Sequence, residues 1–138
     1  AVQNLMTTPA IWRKVFERLP SPNLGINYDP SHFVWQMMDY IRIYEFKDKI
    51  FHVHYKDIKL FPEKLRQVGT MAYPLDYMSP KLPAGATVSW GRYVSALTDI
   101  GYQGEHLLEI EDKAFEGSVD QAKRAVRLSA RHLRNFVI

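Results

Sequence analysis

The chain has 138 residues, 46% hydrophobic and 24% charged, with 18 basic residues against 15 acidic and a net charge of +3. That composition excludes a disordered or low-complexity chain, and so small and scattered a basic excess argues against a nucleic-acid binder. The absence of cysteine excludes a disulfide scaffold, thiolate metal sites and thiol nucleophiles, and no apolar run approaches the roughly 20 residues of a membrane helix. Ala1-Val2-Gln3-Asn4 lacks the basic and then apolar order of a signal peptide, so the expected compartment is the cytoplasm. The first residue is not methionine, as expected of a processed or trimmed chain.

Thr8-Pro9 pairs a capping hydroxyl with a proline at the first helical position, and Ile11, Val15, Phe16 and Leu19 follow at helical spacing. Pro20 and Pro22 end that helix. Leu24 to Asp29 reads as a short strand stopped by Pro30. The apolar stripe of Val34, Met37, Met38, Ile41 and Phe46 predicts a helix over 34–46. Ile50 to Tyr55 is β-branched and aromatic, hence a second strand. Residues 58–88 form a long connection carrying four prolines, with Glu63 to Val68 as a short helix. Ser89 or Thr87 caps a helix from Trp90 to Ile100, and Gly101 stops it. His106 to Glu111 is the third strand. Ser118 to Gln121 has the capping-box pattern and opens a last helix, with Val119, Ala122, Val126, Leu133 and Phe136 or Val137 expected on its buried side.

The order α-β-α-β-loop-α-β-α predicts an α/β fold of parallel β/α units with right-handed crossovers, in one domain without internal repeat or linker. Three parallel strands leave two exposed edges, so either an unusual arrangement seals the sheet or the chain is part of something larger, such as a (β/α)8 barrel. The same edges would favour self-association.

Each strand carries a polar residue towards its C-terminal end: Asp29 with His32 one turn later, His54, and Glu109 with Glu111. Parallel β/α folds bind ligands at that rim. Carboxylates and imidazoles without thiolate suit one divalent ion, Mn²⁺, Mg²⁺, Co²⁺ or Zn²⁺. Each residue also has an ordinary reading. Asp29 before Pro30 is a turn residue or helix cap, and His32 a first-turn helix residue. His52 and His54 share a strand face and both fit a hydrogen-bonded interior. Glu109 or Glu111 is a partner for Lys56 or Arg92, and Trp35 fits core or pocket wall. Their coincidence on one rim favours a site.

Asn27-Tyr28-Asp29-Pro30-Ser31-His32, Phe51 to Asp57 (FHVHYKD) and Leu107 to Asp112 (LLEIED) resemble the sugar phosphate isomerase/epimerase family of the xylose isomerase-like TIM-barrel superfamily. Pro83-Ala84-Gly85 with Val88-Ser89-Trp90, and Gly101 to Gly104, resemble that family's loops before its seventh helix and last strand. The resemblance runs from Thr7 to about Leu133. It implies a partial barrel in residues 1–138: strands six to eight, preceded by a helix. It further implies that Asp29, His54 and Glu109 are ligands of one divalent metal, that His32 and Lys56 contact substrate beside Trp35, and that the Lys56 ammonium holds a phosphate or hydroxyl group. The family's fourth ligand, a glutamate on the fifth strand, has no counterpart here, and Ile58-Lys59-Leu60 stands where related ketose epimerases carry an arginine.

The implied activity is isomerisation or epimerisation of a sugar or sugar phosphate by proton transfer through an enediolate, with Glu109 as one of two catalytic carboxylates. The isolated chain, lacking the other, is expected to be inactive. Alternatives are an apurinic endonuclease-like metal hydrolase, a polyol dehydratase of the same superfamily, and a non-catalytic half-barrel that associates with a partner. No Asp-x-His pair lies between Asp57 and Trp90, which counts against the endonuclease.

Overall fold

A computed structural model describes residues 6–136. Helix α1 (Pro9–Arg18) starts as expected: the Thr8 hydroxyl accepts from the Ile11 N–H, with proline in the first turn. Trp12, 5% exposed, anchors it in the core. Strand β1 (Ile26–Tyr28) leads into helix α2 (Pro30–Trp35), which Asp29 caps by accepting from the Ser31 N–H.

The helix expected over 34–46 does not form. Helix α2 starts four residues earlier and ends at Trp35 in a Schellman motif. Met38 N–H donates to the Phe33 carbonyl, Met37 N–H donates to the Val34 carbonyl, and Met37 takes φ 59°. The chain reverses there, and only a 3-10 helix, Arg42–Lys49, precedes β2 (Ile50–Tyr55). The apolar spacing across 34–46 joins two separate segments that both face the core, through Val34 and then Ile43 and Phe46.

The long connection is structured. Strand β3 (Asp57–Leu60) leads into α3 (Pro62–Val68) and pairs antiparallel with β4 (Met78–Lys81), Asp57 opposite Lys81 and Leu60 opposite Met78. Helix α4 (Trp90–Asp99) follows Ser89. Strand β5 is shorter than expected, His106–Leu108, with Glu109 and Glu111 just past its end, although the Glu109 N–H still donates to the Tyr55 carbonyl. Helix α5 (Val119–Leu133) is capped by the Ser118 hydroxyl. Its buried side carries Ala125, Ser129 and Leu133; Val119, Ala122 and Val126 are exposed, one helical step round from expectation. Phe136 packs partly buried against the core, and Val137 lies outside the described residues.

Strands β1, β2 and β5 form a parallel sheet in that order, Tyr28 opposite Val53 and Tyr55 opposite Leu108. Period-two alternation divides its faces. Tyr28, Val53 and Tyr55, none more than 1% exposed, face the helical layer, where Tyr55 stacks on Trp90 and Tyr28 on Tyr93. Asn27, His52 and His54 occupy the opposite face; His52 is exposed rather than enclosed, and His54 is half-buried. Among the described residues the sheet does not close into a barrel.

The strand-to-ribbon junction is fixed by Asp57, which is fully buried. Its Oδ1 accepts from the N–H groups of Ile58, Thr87 and Val88, and its Oδ2 from Ala86 N–H and Trp90 Nε1–H. One carboxylate thus ties β3 to the loop entering α4. Asp57→Asn puts an amide donor against two of those five donors and should lower stability by about 1–3 kcal/mol. The check is the urea unfolding midpoint, expected to fall without a change in slope.

Candidate metal centre

Parallel strands deliver the site because their C-terminal ends lie at one rim. Asp29 follows β1, His54 is the penultimate residue of β2, and Glu109 follows β5. One ligand atom from each lies within 4.8 Å of the others. They border a cavity of about 340 Å³ that is also lined by Asn27, His32 and Lys56.

Asp29 does two jobs with two oxygens. Its Oδ1 accepts from the Ser31 backbone N–H at 2.8 Å and the Ser31 hydroxyl at 2.7 Å. Its Oδ2 is buried and makes no hydrogen bond. Its polar neighbours are the Lys56 ammonium, with Nζ at 3.3 Å, and the His32 ring, with Nε2 at 3.5 Å. The helix-cap reading of Asp29 is therefore correct, and it leaves the second oxygen without a hydrogen bond beside the Lys56 ammonium.

His54 lies between Asn27 and Glu109. Nε2 is 3.1 Å from the Asn27 amide nitrogen, and Nδ1 is 2.7 Å from Glu109 Oε2. With the Asn27 amide as donor, Nδ1 carries the proton and donates to the carboxylate. An amide can also present its oxygen, so Asn27 serves either tautomer. Period-two alternation was the available signal for Asn27, which shares a strand face with Asp29 and lies beside His52 in the ladder.

Lys56, 7% exposed, is the hub. Its Nζ is 2.9 Å from Glu109 Oε1, 3.3 Å from Asp29 Oδ2 and 3.3 Å from Glu111 Oε2, with His32 Nε2 at 3.4 Å. The expectation that one glutamate pairs with Lys56 thus holds for both. Burial works against the ammonium, but Asp29, then Glu109 and Glu111, outweigh it and raise its pKa above the ordinary lysine value. Burial likewise opposes the Glu109 carboxylate, yet Lys56 and then His54 hold its pKa below the ordinary value. For His32 burial dominates, with Lys56 adding to it, and its pKa is lowered despite Asp29. Trp35, 7% exposed, contacts the His32 ring edge-on at 6.4 Å between centroids and forms wall rather than reacting group.

These residues fit a divalent cation. The donors are two carboxylates and an imidazole, and a buried carboxylate oxygen lacks a hydrogen bond. One ion's donors lie about 2.0–2.2 Å from it and so within about 4.4 Å of each other, which asks only a small inward movement here. Lys56 balances the same carboxylates, so a bound cation would share them with an ammonium.

A family profile described as Xylose isomerase-like TIM barrel matches residues 2–136. Uncharacterized protein YfiH of Bacillus subtilis (strain 168) is 32% identical over 101 residues, 66% of this chain and 32% of that protein. A xylose isomerase domain protein from Planctomyces limnophilus superposes with TM-score 0.68 at 20% identity, covering 92% of this chain and 44% of that one. Another from Alicyclobacillus acidocaldarius gives 0.66 at 20% identity, covering 94% and 43%. The chain thus spans about a third of the curated relative and under half of either solved structure. No described helix is long and apolar enough to cross a membrane.

The depressed Glu109 pKa sets a pH dependence. Its contribution to stability is complete above the unfolded pKa, ordinarily 4.5, and is lost as pH falls through the lower folded value. Urea midpoints taken from neutral pH down through 4.5 should therefore fall more steeply in the parent than in Glu109→Gln.

Proposed function

The chain belongs to the xylose isomerase-like TIM-barrel family, and on that footing we propose that it carries much of the active site of a divalent-metal-dependent sugar isomerase or epimerase. The observation that carries this reading is the meeting of Asp29, His54 and Glu109 at the rim, where the buried Asp29 Oδ2 makes no hydrogen bond and lies 3.3 Å from the Lys56 ammonium. Asp29, His54 and Glu109 would hold the ion, which when bound supplies Lewis-acid polarisation of a carbonyl and its neighbouring hydroxyl.

Glu109 is the group that moves the proton. Its carboxylate is ionised at neutral pH and borders the cavity, so it is ready to accept a proton from the carbon next to a carbonyl. Lys56 keeps it ionised and donates towards substrate oxygen, while His32, with its pKa lowered, is suited to a neutral hydrogen-bonding role. Trp35 supplies an apolar wall. A second base and a fourth ligand would come from chain or subunit lying against the open edge of β1. The small-molecule substrate is a sugar, and a cytoplasmic location accords with that chemistry.

The endonuclease-like alternative is less favoured because the described rim contributes three carboxylates and a single lysine. Those charges repel a phosphodiester unless several cations are added.

The test uses the full-length protein loaded with Mn²⁺ and follows deuterium exchange from D₂O into the carbon next to the carbonyl of a ketohexose. Exchange is expected in the parent and should fall about 10²–10⁴-fold in Glu109→Gln. Exchange unchanged by that substitution would contradict the assigned base.

A further inference from the structure

A second cavity, about 70 Å³, shares Lys56 and His32 with the first. Three elements build it. Helix α2 contributes Trp35 and the polar Ser31 and His32, the β3–β4 ribbon contributes Ile58, Met78 and Pro80, and Leu75 closes it from the segment before β4. Trp35 and Ile58 are 7% and 2% exposed. Glu111 and Lys56 border it where it meets the rim.

The wall is held in place independently of any ligand. The Tyr77 hydroxyl, fully buried, donates to the Trp35 carbonyl at 3.2 Å or the Thr70 carbonyl at 3.3 Å, tying the ribbon segment to the end of α2. Asp57 fixes the start of β3. At the same end of the ribbon, on β4 opposite Asp57, Lys81 Nζ lies 3.0 Å from Asp112 Oδ1, and Asp112 also accepts from the Leu82 N–H, joining β4 to the loop after β5.

Its cation is already engaged. Among the described residues Lys56 is the only lysine or arginine in the lining, and Asp29, Glu109 and Glu111 share it; the Ser31 hydroxyl, also in the lining, donates to Asp29 Oδ1, and His32 Nε2 lies 3.5 Å from Asp29 Oδ2. Glu111 and Asp57 are both in the lining, and Asp57 has its two oxygens occupied by backbone and indole donors. Phosphate recognition calls for several charge-assisted donors, commonly arginine or a helix N-terminus. A terminal phosphate placed here would meet apolar carbon on one side and a carboxylate on the other. A methylene, methyl or hydroxymethyl group meets no such penalty, and a cavity of this volume suits a group of that size.

We propose that this cavity receives the uncharged terminal end of an open-chain sugar whose reacting carbons lie at the rim, and that it selects non-phosphorylated sugars over their terminal phosphates. The inference rests on the sugar isomerase reading and decides between the two roles open to Lys56: it meets a hydroxyl, not a phosphate.

The experiment uses the full-length protein with Mn²⁺ and two readouts, the methyl resonance of ¹³C-labelled Met78 and deuterium exchange at the carbon next to the carbonyl. The probes are D-fructose, D-tagatose and D-psicose, each with its 6-phosphate. A neutral ketose should exchange and shift the Met78 resonance. A terminal phosphate set against the Glu111 carboxylate with no free cation is a like-charge juxtaposition, so a 6-phosphate should be at least about 100-fold poorer in kcat/KM. Leu75→Arg should narrow that ratio at least about tenfold by supplying the missing cation. Exchange with the 6-phosphates equal or preferred overturns this inference alone, as does exchange of a neutral ketose that leaves Met78 unmoved. No exchange with any probe overturns the sugar isomerase reading and this inference with it.

Discussion

A buried ammonium shared by three carboxylates organises this molecule. Lys56 lies at the end of β2, where Asp29, Glu109 and Glu111 arrive from the strands on either side. Two unpaired carboxylates at that distance would repel each other strongly in a partly desolvated rim. Lys56 lets them approach, and their approach creates a set of donors that can take a cation. The same balance keeps Glu109 ionised.

The parallel sheet makes that meeting unavoidable. All three strands run the same way, so residues at or just past their C-terminal ends share a rim without any long-range coincidence in sequence. The tyrosine-rich opposite face fixes the register, since a one-residue slip would exchange buried Tyr28 and Tyr55 for polar neighbours. Beyond the sheet, one end of the β3–β4 ribbon is pinned by two buried aspartates, Asp57 at the start of β3 and Asp112 against the end of β4. That ribbon places Ile58 and Met78 beside the charged rim and gives the site an apolar flank.

Much of this was legible from sequence because local signals agreed with the fold. Thr8-Pro9 and Ser118 capped the helices they were expected to cap, and the strand over Ile50–Tyr55 has those bounds. The rim residues stood out because each lay near a strand's C-terminal end. Helical periodicity failed between Val34 and Phe46, where a Schellman turn at Met37 separates two segments that both face the core. A non-glycine residue in the left-handed region leaves no clear trace in composition. The ribbon within 58–88 was hidden by its prolines, although Pro80 sits in a two-stranded ribbon and so costs little there. On α5, Val119 and Val126 point away from the described core, so apolar character alone misplaced the buried stripe. Asp57 and Asn27 carry no chemical signature by themselves; their roles depend on what the fold brings to them.

The central claim is that Asp29, His54 and Glu109 act together on one cation. The most direct measurement is Mn²⁺ binding to the full-length protein by electron paramagnetic resonance titration, with Asp29→Asn and His54→Ala alongside, folding checked by circular dichroism. The account predicts one Mn²⁺ per protein in the parent and affinity at least about tenfold weaker in each folded variant. Binding of equal strength in parent and variants, or none in the folded parent, would contradict it.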